Sequence, residues 1–454
     1  MAKETTRTIT DFLDKEYKEY TLYVATNRAC PSAIDGLKTG ARKIMHAAFT
    51  GALKSGETKK LVSLAGETLT KSLYAHGDGS LNGTIITLSQ EFAFNLNPLF
   101  VDGQNGTLRS PDAASPRYLY VRHSKYTPIW KTDYELLDFL EEEGESVEPR
   151  YYLPIIPVVL CQRQMGMAPG YAFSSMSYSP IDIIDACKEV LNGKSLDSFV
   201  IHPYVRDIKK KNWKMEEGRW VNIGEAKWDD KKKAITVTDL PYDIDFDSFE
   251  RMLNKLVESE DIKDWKNLSE GTSINYVIDC KKGKWASTLK GKNVESKIFT
   301  KLKLKKVVPD DNLWAVDENK KIRHFATNKE LVEYFVKFRL PKYTERKTRL
   351  VKILTERLDR NNQLVKFIEL VCKGKLVIRN RSKKDIKTDM DGYGLPMELI
   401  STPMSKVTIE ERDEILKQNE ALKKELEYVK KTTEKQMYLN DLDDLRKELE
   451  KDFR

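Results

Sequence analysis

Two Thr-x-x-Glu spacings, Thr327/Glu330 and Thr408/Glu411, constrain this chain more than any other feature. In each, the threonine hydroxyl can accept from the backbone three residues on while the glutamate reaches back, which marks a helix start. The first predicts a long helix through "ELVEYFVKFRLPKYTERKTRLVKILTERLDR", kinked at Pro341. The second predicts a helix whose apolar seam is Ile415, Leu422, Leu426 and Val429, with Asn419 at a core position. Two such helices pair as antiparallel arms, and residues 362–407 become a small globule at their far end.

A chain of 454 residues is too long for one core. Residues 10–28 carry a helical stripe from Phe12, Tyr17, Tyr20 and Leu22, and "ACPSAIDG" breaks it. "GARKIMHAAF", "TKKLVSLAGETLTKSL" and "SLNGTIITLSQEF" read as three short helices. The Gly-punctuated "LFVDGQNGTLRS" then reads as strand and turn, completing a helix-turn-helix with a wing, a fold that often docks on duplex DNA. From Tyr151 the texture changes to strands, "YYLPIIPVVL", "GRWVNI", "KAITVTDL" and "SINYVIDC", with helices such as "PIDIIDACKEVLNG" and "DFDSFERMLNKLVES" between them. The fold class is therefore α+β multidomain. It comprises an N-terminal helical arm (1–30), a winged-helix domain (31–150), an α/β module (151–326), and a long antiparallel coiled coil with a small helical globule (327–454).

Charge fits an anionic partner without proving one: the net is +8 and the pI near 8.8. Five cysteines lie far apart with no CxxC spacing and no signal peptide before them, which predicts free thiols in a reducing, cytoplasmic compartment. No apolar run approaches membrane-spanning length.

Four clusters could carry chemistry. In "NRACPSAIDGLKTGARKIMHAAF", Arg28, Lys38, Arg42 and Lys43 surround a turn and a helix start, an arrangement suited to DNA phosphate. In "YAHGDGSLNGTI", His76 lies in a Gly-rich turn. In "MGMAPGYA", Met167 sits between glycines, where an apolar tip can fill a core gap or wedge between base steps. The fourth is Arg117-Tyr118 in "DAASPRYLYVRH", whose alternation predicts a strand with Tyr118 and Tyr120 on one face and Leu119 and Val121 on the other. Tyr118 is there either a half-buried strand aromatic or a nucleophile beside a phosphate-steadying arginine.

Taken together these clusters resemble the DNA-cleavage half of type IIA DNA topoisomerases: the gyrase A subunit, the central region of the eukaryotic enzyme and the T-even phage medium subunit. The family's "R-x-x-P-x-x-x-DGLK-x-x-x-R-[KR]" appears as "RACPSAIDGLKTGARK", its "HG[DE]-x-S" as "HGDGS", and its "S-x-R-Y" as "SPRY". "YLPIIPVVL", "GMAPG" and "ITVTDLPYD" resemble its tower domain, and "DENKKIRHFATNKELVEYFVKFRL" its entry into the coiled coil. The wording of "ASPRY" and "TPMSKVTIEE" leans toward eukaryotic and phage forms.

The resemblance implies that Tyr118 attacks a DNA phosphate and becomes linked to the 5′ end. Arg117 and Arg28 would stabilise charge there, with His76 aiding proton movement or holding the site. Lys38, Arg42 and Lys43 would grip the duplex, and Met167 would replace the family's intercalating isoleucine. The resemblance further implies homodimerisation through the C-terminal coiled coil. It also implies a separate TOPRIM-ATPase subunit that binds Mg²⁺ and ATP, with no metal site on this chain. Thr39 departs from the family's proline after "DGLK", and Gly79 and Gly83 stand where gyrase contacts quinolones, which predicts poor quinolone response.

Other motifs carry less. "GKS" at Gly193 lacks the leading glycine of a P-loop, and the acids of "DIDFD" at Asp243 read as caps for the helix that follows. A tyrosine recombinase needs its nucleophile near the C-terminus. The competing class is a non-enzymatic architectural DNA-binding protein that uses Tyr118 for packing.

Overall fold

The computed structural model describes residues 8–74, 77–281, 283–289, 293–309, 312–378 and 380–453. They form two compact units: one runs to Lys337 and resumes at Leu442, and the other is Phe338–Asp441.

The first unit opens with a helical segment from Ile9 to Ala29, in which α-turns alternate with wider π-turns, and it ends as predicted at the Cys30-Pro31 break. The three short helices form at Thr39–Ala47, Leu61–Lys71 and Asp78–Ser89. Their apolar sides, including Ile44, Leu64 and Ile85, are buried. A three-stranded antiparallel wing follows in the order Lys59–Lys60, Tyr120–His123, Leu99–Asp102. The winged-helix reading stands.

The tower segment is built on four-stranded antiparallel sheets. One orders Glu225–Asp229, Ala234–Asp239, Tyr276–Asp279 and Asp264–Asn267, with the helix Phe246–Glu258 burying Phe249 and Leu253 against it. Asp245 caps that helix by accepting from Ser248 N at 2.6 Å, as the acids of "DIDFD" foretold. "YYLPIIPVVL" is not a strand. Pro154 and Pro157 cannot donate to a ladder, and the segment turns into a short 3₁₀ helix, Val158–Cys161, buried on all sides. Arg109 of the wing loop donates to the carbonyls of Leu240 and Ile244 at 2.6 and 2.8 Å, which joins wing and tower in one unit.

Residues after Leu442 also belong to this unit rather than to the coiled coil assigned from the sequence. Arg446 pairs with Asp185 at 3.0 Å, Asp452 accepts from Tyr126 Oη at 3.0 Å, and the Phe453 ring meets Tyr204 edge-on. All five cysteines are free, with only Cys372 exposed. Among the described residues no helix is long and apolar enough to cross a membrane.

The antiparallel arms make up the second unit, and the helix of the first arm begins before it, at Asn328. Both caps form: Glu330 N donates to Thr327 Oγ1 and Glu411 N to Thr408 Oγ1, each at 3.2 Å. The helix Asn328–Cys372 continues through Pro341 without a break. Leu354, Leu422 and Val429 make the seam with Leu350, Leu358 and Leu426 beside them. Ile415, expected in that seam, packs instead in the globule with Phe367, Ile368, Met390 and Leu399. The second arm ends at Lys431, and a further helix, Glu434–Leu449, follows the Thr432-Thr433 interruption.

Candidate functional site

Tyr118 sits in a 3₁₀ turn, Pro116–Tyr118, and not in a strand as the alternation predicted. Pro116 has no N–H for a ladder and sets the turn, so pairing starts only at Tyr120. Tyr118 N donates to Ser115 O at 2.9 Å and Leu119 N to Pro116 O at 3.2 Å. The alternation survives as exposure: Leu119 and Val121 are buried, whereas Tyr118 is 69% exposed. A half-buried packing role for Tyr118 is thereby overturned.

The turn is held from below. Leu119 O accepts from Leu61 N, the first residue of a wing-side helix, at 3.0 Å. Gly103, at φ +121°, lets the loop pass over Leu119, where a Cβ would come within 2.8 Å of Cδ2. Gln90, which is buried, donates to Asn105 O at 2.9 Å and Pro111 O at 3.0 Å. The side chains of Arg117 and Tyr118 make no hydrogen bond or ion pair among the described residues. A cation and a phenol are thus presented without partners on a fixed turn.

Arg28, Lys38 and Lys43 line one cleft of about 940 Å³, together with Thr84, Thr87 and Gly83 of the helix Asp78–Ser89. Arg28 is exposed and lies over the Tyr23 ring at 5.6 Å. Lys38 Nζ donates to Met165 O at 3.2 Å. Burial pulls the Lys38 ammonium below the ordinary lysine range, with the nearby Cys30 thiol opposing. Arg117 and Tyr118 do not line this cleft.

Two of the expected duplex-gripping residues are committed inward. Arg42 is buried and forks onto Asp35, Nε at 2.8 Å and Nη2 at 2.9 Å. Asp35 also accepts from the backbone of Leu37 and Tyr152, so the pair folds the "DGLK" turn onto the tower segment. Lys43 is buried against Glu148 at 2.9 Å and Glu142 at 3.4 Å. Both charges are paired within the chain, which gives them a structural role in this fold. Asp35 lies in the same motif, seven residues before Arg42, whereas Glu142 and Glu148 are far from Lys43 in sequence, where local spacing cannot reveal them. His76 lies outside the described residues.

Met167 stands on the hairpin Gln164–Ala168/Tyr171–Ser175, and it is 74% exposed. Gly166 fixes that hairpin, since a Cβ there would lie 1.9 Å from Ala29 O, beside Arg28.

A model of the DNA gyrase/topoisomerase IV family, in its A-type form, matches residues 28–445. The chain belongs to that family. Relatives of this gyrase A family member include a mitochondrial DNA topoisomerase 2 of Dictyostelium discoideum, 30% identical over 98% of this chain and 35% of its own length. DNA topoisomerase 2 of Arabidopsis thaliana is 28% identical over 98% of this chain and 33% of its own. The chain therefore spans about a third of these relatives. In fold, this gyrase A family member matches the DNA-binding, cleavage and re-ligation domain of Plasmodium falciparum topoisomerase II. The TM-score is 0.84 over 97% of the chain and 65% of that structure, at 24% identity. It is a type IIA topoisomerase cleavage region.

Proposed function

We propose that this chain is the breakage-reunion subunit of an ATP-dependent type IIA topoisomerase, which passes one duplex through a transient double-strand break in another. Tyr118 Oη attacks a backbone phosphorus, the bond from phosphorus to the 3′ oxygen breaks, and the phenolic proton ends on the released 3′ hydroxyl. The resulting 5′-phosphotyrosyl ester keeps the energy of the broken bond, so religation reverses the step without fuel. Arg117 and Arg28 stabilise the charge gathered on the phosphoryl oxygens, and His76 assists proton movement or holds the site. Lys38 holds the flanking backbone, and Met167 wedges a base step so that the duplex bends.

One observation carries this reading: Arg117 and Tyr118 are exposed, with no side-chain partner among the described residues, on a turn that backbone hydrogen bonds tie to the wing. An architectural protein gains nothing from an unpartnered phenol there.

Among the described residues no group of three or more His, Cys, Asp or Glu is arranged to hold a metal ion. In this reading Mg²⁺ and ATP belong to a separate TOPRIM-ATPase subunit of the T-even phage kind. The unit Phe338–Asp441 makes the homodimer contact, and the assembly works in a reducing cytoplasm.

Covalent trapping tests the assignment. With Mg²⁺ and the partner subunit present, wild-type protein should remain on DNA after denaturation. Tyr118→Phe should bind duplex within roughly twofold of wild type and leave no adduct, because only the nucleophilic oxygen is lost. Adduct formation by that variant sinks the proposal.

A further inference from the structure

We propose that Met165 is a second wedge, entering the duplex two base steps from the one that Met167 opens. The inference rests on the reading of this hairpin as the DNA-bending element.

Met165 and Met167 occupy the edge strand Gln164–Ala168 of a four-stranded sheet. Residues two apart on a strand share a face, and these are 70% and 74% exposed. The opposite face is fully engaged. Gln164 Nε2 donates to Gly36 O at 2.9 Å, and Gly166 packs backbone to backbone on Ala29. The strand therefore cannot rotate to hide its methionines. Packing within the chain does not explain two neighbouring apolar tips in solvent.

Spacing decides what a second tip can do. Side chains at i and i+2 on a strand stand ~6.7 Å apart, and stacked bases repeat every ~3.4 Å along a duplex strand. Two tips at that separation reach steps two apart, leaving two base pairs stacked on each other between them. Methionine is unbranched and polarizable, so it can slide between bases without a fixed shape. Met165 also carries its own counter-charge: its carbonyl accepts from Lys38 Nζ at 3.2 Å, which places an ammonium where an unstacked step brings a phosphate close.

The test uses the full chain on a defined duplex with 2-aminopurine scanned across the central base steps. That base brightens when it unstacks. Wild type should give two maxima, two steps apart, in the half of the duplex that each protomer contacts. Met165→Ala should lose one maximum and keep the other, Met167→Ala should do the reverse, and Met165→Leu should keep both. Both alanine variants should melt as wild type does, because the side chains removed are mostly in solvent. A single maximum that depends only on Met167 overturns this inference and leaves the bending reading intact. No maximum, with duplex affinity unchanged, removes the bending reading and the inference together.

Discussion

Arg117 differs from the motif cations Arg42 and Lys43 in pairing with no carboxylate among the described residues. Arg42 and Lys43 occupy motif positions as basic as Arg117, yet they spend their charge on Asp35 and Glu148. Arg117→Ala should therefore slow cleavage by roughly 10²–10³ while duplex affinity falls far less, since its charge matters most where the phosphoryl transition state gathers charge. Single-turnover cleavage beside equilibrium binding reads the two effects, and equal losses in both contradict the role. Lys38 gives a pH signature. Burial lowers its folded-state pKa, so the charged form carries a folding penalty below that lowered value, which is relieved as pH rises through it. A bound phosphate favours the ammonium and restores the pKa, so binding above the lowered value takes up a proton. Affinity should then fall with pH on the alkaline side by up to about one log unit per pH unit. Lys38→Arg, which stays charged, should flatten that limb, and an identical limb in both proteins excludes Lys38 from the contact.

Elements whose signal is local were legible in the sequence. Both capping boxes, the three short helices and the seam from Leu422 to Val429 formed where spacing placed them. What failed depended on contacts distant in sequence. "YYLPIIPVVL" is apolar throughout and buried except for partly exposed Tyr151 and Ile155, and such a run has no period to read. The turn at Tyr118 hid inside a strand-like alternation because exposure alternates whether or not the backbone pairs. Buried Asn419 was legible as a polar core position but its partners were not: it accepts from Asn361 Nδ2 at 2.9 Å and donates to Asn362 Oδ1 at 3.0 Å. A polar triad in an apolar seam fixes register at a cost in stability. Asn419→Leu should raise the melting temperature of the arm pair by a few degrees, worth about 1 kcal/mol. It should also lower the yield of a disulfide engineered between positions 354 and 422, because the arms can slip. A lower melting temperature with undiminished cross-linking shows that the triad stabilises and does not select register.

At the scale of the whole molecule, the chemistry asks for more than a free Arg-Tyr pair can supply. A phenol with a pKa near 10 is only about one part in a thousand ionised at pH 7, and the charge that develops on the leaving oxygen needs a counter-charge beyond one guanidinium. No carboxylate set among the described residues is arranged to hold a divalent ion that could provide it. Strand passage needs a timed gate as well, and the sequence carries no phosphate-binding glycine loop to drive one. The net charge of +8 and the cleft shared by Arg28 and Lys38 favour an anionic duplex without either a metal or a nucleotide. The purified chain should therefore dimerise and bind duplex DNA with a steep salt dependence. Arg28→Ala should make the log–log salt slope shallower by about 0.9, the share of one phosphate contact. Relaxation of supercoiled plasmid should begin only on addition of Mg²⁺-ATP together with a TOPRIM-ATPase subunit. Efficient ATP-dependent relaxation by this chain alone, with contaminating proteins excluded, would place both missing functions within these 454 residues and overturn the division of labour.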